Sequence, residues 1–164
     1  MFLDLKKVFA NEEESIVFNY QLDISDVEFG GYYPFTTPIN ISGKVQNSSG
    51  IVSLNVKVAF NYCHPCDRCM SEVNKNFEYL FKHVLVTEND NISDNDCIVL
   101  YEFKFDLDKL ITDDLLLELP SKILCNDDCK GLCPNCGENI NEGSCDCAKH
   151  QVDPRLEALK DLID

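Results

Sequence analysis

Ten cysteines in 164 residues constrain this chain more than any other feature, because eight of them fall in closely spaced pairs. Cys66-Asp67-Arg68-Cys69 and Cys133-Pro134-Asn135-Cys136-Gly137 each set two thiols two residues apart. At that spacing a turning loop presents both sulfurs to one ion, and the proline and glycine of the second pair suit a tight turn. Cys125 and Cys129 are separated by three residues, and Cys145-Asp146-Cys147 is a closer pair that a local bend can bring to one ion. Four thiolates around one dication make a structural zinc site, so the expected metal ligands are Cys66, Cys69, Cys125, Cys129, Cys133, Cys136, Cys145 and Cys147, holding two Zn2+ ions.

Chain distance bears on how the pairs combine, since short loops cost less entropy to close. It groups Cys133, Cys136, Cys145 and Cys147 as a compact knuckle and leaves Cys66 and Cys69 to be joined by Cys125 and Cys129 in a long-range clasp. One site from Cys66, Cys69, Cys133 and Cys136, with the rest free, is the competing arrangement; two sites leave fewer thiols unused. Cys63 and Cys97 stand outside both. Cys97 beside an apolar run reads as a small buried hydrophobe. Cys63, Cys66 and Cys69 imitate part of an iron–sulfur ligand run, but the residues from Met70 that would continue it offer no fourth cysteine followed by proline.

Such a cysteine count also suits a secreted disulfide scaffold. The first ten residues, however, alternate charged and apolar side chains with no signal-peptide-like run, so the expected setting is a reducing cytoplasm. No stretch approaches the roughly 18 apolar residues of a membrane span. The formal charge of −15 disfavours generic attraction to a phosphate backbone and favours a basic partner. Two four-thiolate zinc sites would take that charge to about −19.

The hydrophobic pattern before the cysteine-rich tail has a period of two, the mark of strands with one buried face. Ile16, Phe18, Tyr20, Leu22 and Ile24 form one stripe; Val52, Leu54, Val56, Val58, Phe60 and Tyr62 form the cleanest. Asn47-Ser48-Ser49-Gly50 joins the latter to an Ile39–Val45 run as a hairpin. Phe77, Tyr79, Phe81, His83 and Leu85 continue the alternation, which puts Cys66 and Cys69 in the loop between two antiparallel strands. A further strand is expected around Val99–Phe105, after a polar surface loop from Thr87 to Asp96. Leu110, Ile111, Leu115 and Leu117 suit the face of a helix that Pro120 must end. Residues Ser121–His150 are too poor in apolar side chains to build a core of their own, so metal is their expected source of order. Asp153-Pro154-Arg155 opens a short terminal helix carrying Leu156, Leu159 and Ile163. The fold class expected is α+β, mainly antiparallel β in a barrel-like or strongly twisted sheet, with short helices. Residues 1–120 form its body and residues 121–164 a zinc-binding appendage.

Catalytic readings find little support. Cys133-Pro134-Asn135-Cys136 lacks the strand and helix N-terminus that a thioredoxin-like dithiol needs. An all-thiolate zinc site has no open position for water. His64, His83 and His150 are scattered and read as surface or strand histidines, and no acid/base pair stands out among the Asp and Glu residues.

Taken in order, several motifs resemble the YceD family of large ribosomal RNA subunit accumulation proteins. They are Cys66-Asp67-Arg68-Cys69, Leu117-Glu118-Leu119-Pro120, Cys125 through Cys129-Lys130-Gly131-Leu132-Cys133-Pro134-Asn135-Cys136-Gly137, Asn139-Ile140-Asn141, Cys145-Asp146-Cys147 and Asp153-Pro154-Arg155-Leu156. The resemblance implies a non-enzymatic factor that supports accumulation of large-subunit rRNA. Its expected partners are a large-subunit assembly intermediate, a basic ribosomal protein, or rRNA itself reached through Lys122, Lys130, Lys149 and Arg155. No membrane or small-molecule substrate is expected. Cys63 departs from the family pattern and leaves a ligand exchange at the first site open. The alternative from another class is a zinc-ribbon regulator or thiol redox switch that releases metal on oxidation.

Overall fold

The alternation of residues 52–62 becomes the central strand of an open five-stranded sheet. The computed structural model describes residues 1–12, 14–88, 97–143, 145 and 147. Its elements run β1 (Phe2–Asp4), α1 (Lys6–Phe9), β2 (Ser15–Leu22), β3 (Ile39–Ser48), β4 (Ile51–Pro65), β5 (Glu72–Thr87), β6 (Cys97–Leu100), β7 (Lys104–Asp106) and α2 (Leu107–Glu118). The sheet order is β2-β3-β4-β5-β6, and β1 pairs with β7 in a separate two-stranded sheet.

Neighbours from β2 to β5 are antiparallel, and the expected hairpin joins β3 to β4. Period-two alternation gives this sheet two unlike faces. On the inner face Val52, Leu54, Val56, Val58, Phe60 and Tyr62 are all buried, with Ile39, Ile41 and Val45 of β3 beside them. Helix α2 lies across that face. Leu107, Ile111 and Leu115 are buried at spacings of four, while polar ties reach both flanks: Tyr20 Oη donates to Asp108 Oδ1 at 2.6 Å, and His83 Nε2 lies 2.8 Å from Asp114 Oδ2. Asp106 caps the helix by accepting from the Asp108 amide, and Leu119, buried just before Pro120, turns the chain out of it.

The sheet does not close into a barrel. Its end strands β2 and β6 do not pair with each other, and the inner face is filled by α2, Leu5, Val8 and Phe35 rather than by a returning strand. Strand β6 also adds to β5 in parallel, so the sheet is mixed.

The single strand expected at Val99–Phe105 is instead two. Glu102 and Phe103 adopt φ of 55° and 60°, and Lys104 N donates to Tyr101 O, so the chain reverses between β6 and β7. Two successive positive φ values define a turn that usually takes Asn-Gly, which is why Tyr-Glu-Phe-Lys gave no turn signal. Phe103 is held there against Phe9, ring centroids 5.5 Å apart. Leu117 is likewise not on the buried helix face; it is 86% exposed. The terminal helix and nearly all of the Thr87–Asp96 loop lie outside the described residues. Among those described, no helix is long and apolar enough to cross a membrane.

Gly43 is required by packing rather than by a turn. It sits opposite Phe18 on the inner face, where a Cβ would come within 2.5 Å of Phe18 Cζ and 2.6 Å of the Asn55 carbonyl. The aromatic ring occupies the space that any side chain at this position would need.

Candidate metal centre

The long β4–β5 hairpin ends in the loop that carries Cys66 and Cys69, so their placement follows from strand register. His64↔Val73 and Pro65↔Glu72 are its last rungs. Beyond them Cys66 N donates to Ser71 O and Met70 N to Cys66 O, at 2.8 and 2.9 Å. Met70 takes φ of 59° to complete the reversal. The same construction recurs in the tail: Cys133 N donates to Glu138 O and Gly137 N to Cys133 O, both at 2.8 Å, with Gly137 at φ 76°. Both Cys-x-x-Cys loops are thus one motif, a glycine filling the left-handed position in one and a methionine in the other.

The sulfurs of Cys66, Cys69, Cys125 and Cys129 lie within 4.8 Å of one another, and so do those of Cys133, Cys136, Cys145 and Cys147. The grouping is the clasp plus the compact knuckle; Cys133 and Cys136 do not join Cys66 and Cys69. Within the first group Cys66 and Cys129 are 3.8 Å apart and Cys69 and Cys125 3.6 Å. Tetrahedral metal–sulfur bonds of about 2.3 Å give sulfur–sulfur edges of about 3.8 Å. All ten cysteines are free thiols, so the donor set and its spacing fit a metal ion at each group. Cys63 and Cys97 belong to neither group and are both half-buried. Cys63 stands on the opposite sheet face from Tyr62 and His64, which gives no support to a ligand exchange at the first site.

Charge on the sulfurs follows from their neighbours. Burial pushes the Cys66 thiol up, but backbone N–H groups of Arg68, Cys125 and Cys69 donating to the sulfur outweigh it and bring it down to about 6. Cys133 falls to about 6 for a like reason, chiefly the N–H groups of Cys136 and Asn135. Their partners move the other way: Cys125 is pushed up to about 12 by hydrogen bonding with Cys129 and then Cys69, and Cys147 to about 12 by Cys136. In each group a loop-cradled sulfur is ready as thiolate while a partner thiol holds its proton, so binding a cation must displace protons.

A family model described as "Large ribosomal RNA subunit accumulation protein YceD" matches residues 54–163, from the central strand through both cysteine groups. The chain belongs to the YceD family. An uncharacterized protein of Bacillus subtilis, YlbN, is 30% identical over 129 residues, covering 77% of this chain and 75% of that one. The chloroplastic large ribosomal RNA subunit accumulation protein YCED homolog 1 of Arabidopsis thaliana is 36% identical over 59 residues, 36% of this chain but 18% of the plant protein. An uncharacterized Mycobacterium tuberculosis protein is 28% identical over 130 residues, 76% of this chain and 62% of the relative. No solved structure matches significantly.

Several residues inside the YceD motifs hold the sulfurs in place without ligating. Asp67 and Ile123 exchange two bonds, Asp67 N to Ile123 O at 2.9 Å and Ile123 N to Asp67 Oδ2 at 2.6 Å. Arg68 Nη1 donates to Cys129 O at 2.6 Å, and its own carbonyl accepts from Leu132 N. Gly131 passes so close to that carbonyl that a Cβ would sit 3.0 Å from it. Asn141 accepts from Lys130 N and donates Nδ2 to Cys129 Sγ at 3.4 Å. The sequence held Asp67, Arg68 and Asn141 within its motifs, but nothing in spacing distinguishes a loop filler from a side chain that bridges two loops. Of the scattered histidines, His64 is a buried strand residue with Nδ1 2.6 Å from Pro65 O, His83 pairs with Asp114, and His150 lies outside the described residues.

Proposed function

We propose that this chain is a ribosome-biogenesis factor that supports accumulation or maturation of large-subunit rRNA in the cytoplasm, by binding rather than by catalysis. The observation that carries the reading is the family match over residues 54–163, which spans both cysteine groups and the loops that hold them. The ions are zinc, one per group. Four thiolates leave no position for water, so each zinc is structural, and its chemistry is to neutralise and fasten sulfurs. The first ties the β4–β5 hairpin tip to residues 123–132; the second folds the segment after it. The partner is a large-subunit assembly intermediate, met through rRNA or a basic ribosomal protein. Lys122 and Lys130 are exposed beside the first group, while Lys149 and Arg155 lie outside the described residues.

The test is metal analysis of Cys125→Ser and Cys145→Ser, joined to complementation of a strain depleted of its own YceD protein. Each variant should lose one zinc of two and restore large-subunit rRNA poorly. Wild-type protein that is metal-free yet ordered, or that leaves rRNA levels unrestored, would overturn the reading. A redox switch is favoured by the exposure of one cysteine in each group, Cys125 in the first and Cys136 in the second. Release of zinc by mild peroxide, rather than its retention, would support that version.

A further inference from the structure

The sheet face turned away from α2 departs sharply from the charge of the whole chain. The outward positions of β3, β4 and β5 carry Lys44, Lys57 and Lys82. The rungs Lys44↔Asn55↔Lys82 and Ser42↔Lys57↔Leu80 place these lysines on adjacent rows across three strands. With strands about 4.8 Å apart, Lys44 and Lys82 stand roughly 10 Å from each other across β4. The chain has 29 Asp and Glu residues, yet the outward positions of β2 to β5 hold only Glu72 and Glu78. Glu78 is paired with Lys57 at 2.8 Å, and Lys44 and Lys82 have no carboxylate partner among the described residues. The acids are concentrated elsewhere: Asp106, Asp108, Asp113, Asp114 and Glu118 all belong to the helix, or its cap, on the covered face.

The rest of the outward face mixes amides and hydroxyls with exposed apolar side chains, among them Val17, Ile51, Leu80 and Val84. A shallow concavity of about 300 Å³ is lined by the three lysines with Ser42, Asn55 and Leu80. The next rungs along the same strands line another of about 350 Å³ with Asn40, Asn61, Asn76 and the ion-paired Glu78. Leu80 is 69% exposed there. No aromatic side chain stands at an outward position of β2 to β5, so the face offers nothing on which bases could stack.

We propose that this open face of β3, β4 and β5 docks RNA through phosphate and ribose contacts. The inference rests on the biogenesis reading and names the surface. A polyanion approaching a chain of net charge −15 is repelled overall, and a face where acids are few and cations remain lowers that cost. Lysines supply the phosphate contacts; amides and hydroxyls suit phosphate oxygens and the 2′-hydroxyl. A basic protein partner would be drawn to the opposite, helix-bearing side.

The experiment titrates the zinc-loaded full chain against a transcript of bacterial large-subunit rRNA between about 50 and 200 mM salt. Lys44→Gln/Lys57→Gln/Lys82→Gln is compared with Lys104→Gln/Lys109→Gln, two exposed lysines away from the face. At about 0.7 counterions released per phosphate contact, three lysines contribute about 2 to the log–log salt slope. Wild type should therefore lose about 15-fold more affinity across that range than the triple variant, and the control should follow wild type. Zinc stoichiometry checks that the variants are folded, and ultraviolet crosslinks should map to β3–β5 peptides. Equal slopes in wild type and triple variant, or an equal loss in the control, would overturn the assignment. So would weakened binding of a basic ribosomal protein, rather than of RNA, by the triple variant. A chain that binds no rRNA yet restores rRNA levels in the depleted strain refutes the face and leaves the biogenesis reading standing; failure of both refutes both.

Discussion

The two Cys-x-x-Cys loops provide a matched pair for weighing backbone strain in a metal site. They share both hydrogen bonds and differ at the left-handed position, Met70 at φ 59° in one and Gly137 at φ 76° in the other. For a residue with a Cβ that conformation costs about 1 to 2 kcal/mol, part of which glycine returns as greater freedom in the unordered chain. Met70→Gly should therefore favour the closed loop by about 1 kcal/mol. Little is lost in exchange, because Met70 is 57% exposed. Gly137→Ala should cost the second loop about the same, and that cost is conformational alone, since a Cβ at Gly137 would meet nothing within 4 Å. About 1 kcal/mol corresponds to about fivefold in metal affinity if the loop closes with the ion. Chelator competition, read by cobalt-substituted absorption or zinc release, should show the first site tightened fivefold by Met70→Gly and the second weakened fivefold by Gly137→Ala. A Met70→Gly chain that holds its first ion no better, or less well, would refute the equivalence of the two loops.

Two further predictions concern the scaffold. Gly43→Ala should lower stability by about 1 to 3 kcal/mol, read from the urea midpoint, because the added methyl must displace the Phe18 ring or part the strands at the Asn55 carbonyl. Burial beneath the sheet raises the Asp114 pKa, more than its neighbour His83 lowers it. A carboxyl with a raised pKa binds its proton more tightly when folded, so its contribution to stability is full below the ordinary carboxylate range and is lost as pH rises through the raised value. Asp114→Asn should flatten the stability profile across that interval in denaturation curves taken from acid to neutral pH.

Much of the sheet was legible because one face is buried and period two is unforgiving: each residue from Val52 to Tyr62 on the apolar stripe faces inward. The hairpin and the placement of Cys66 and Cys69 at a strand–strand loop followed from the same alternation. What the sequence did not disclose was mostly decided at long range. A left-handed Glu102-Phe103 pair depends on Phe9 packing against Phe103, and no local propensity announces it. The parallel addition of β6 and the open edges of the sheet are likewise set by which distant elements meet, not by local pattern. Leu117 fits an apolar pattern and still points to solvent, since the stripe is complete with Leu107, Ile111, Leu115 and Leu119. At the metal groups spacing located the thiols, whereas the roles of Asp67, Arg68 and Asn141 required seeing two loops side by side.

The paired bonds between Asp67 and Ile123 involve no sulfur, and that has a kinetic consequence. They can register the tail on the hairpin tip through one backbone and one carboxylate hydrogen bond, so an incoming ion meets thiols already assembled rather than gathering them one at a time from distant parts of the chain. Departure is slowed as well: opening the coordination sphere requires the latch beside it to release, and exchange with competing chelators should lag far behind that of a short peptide bearing the same cysteines.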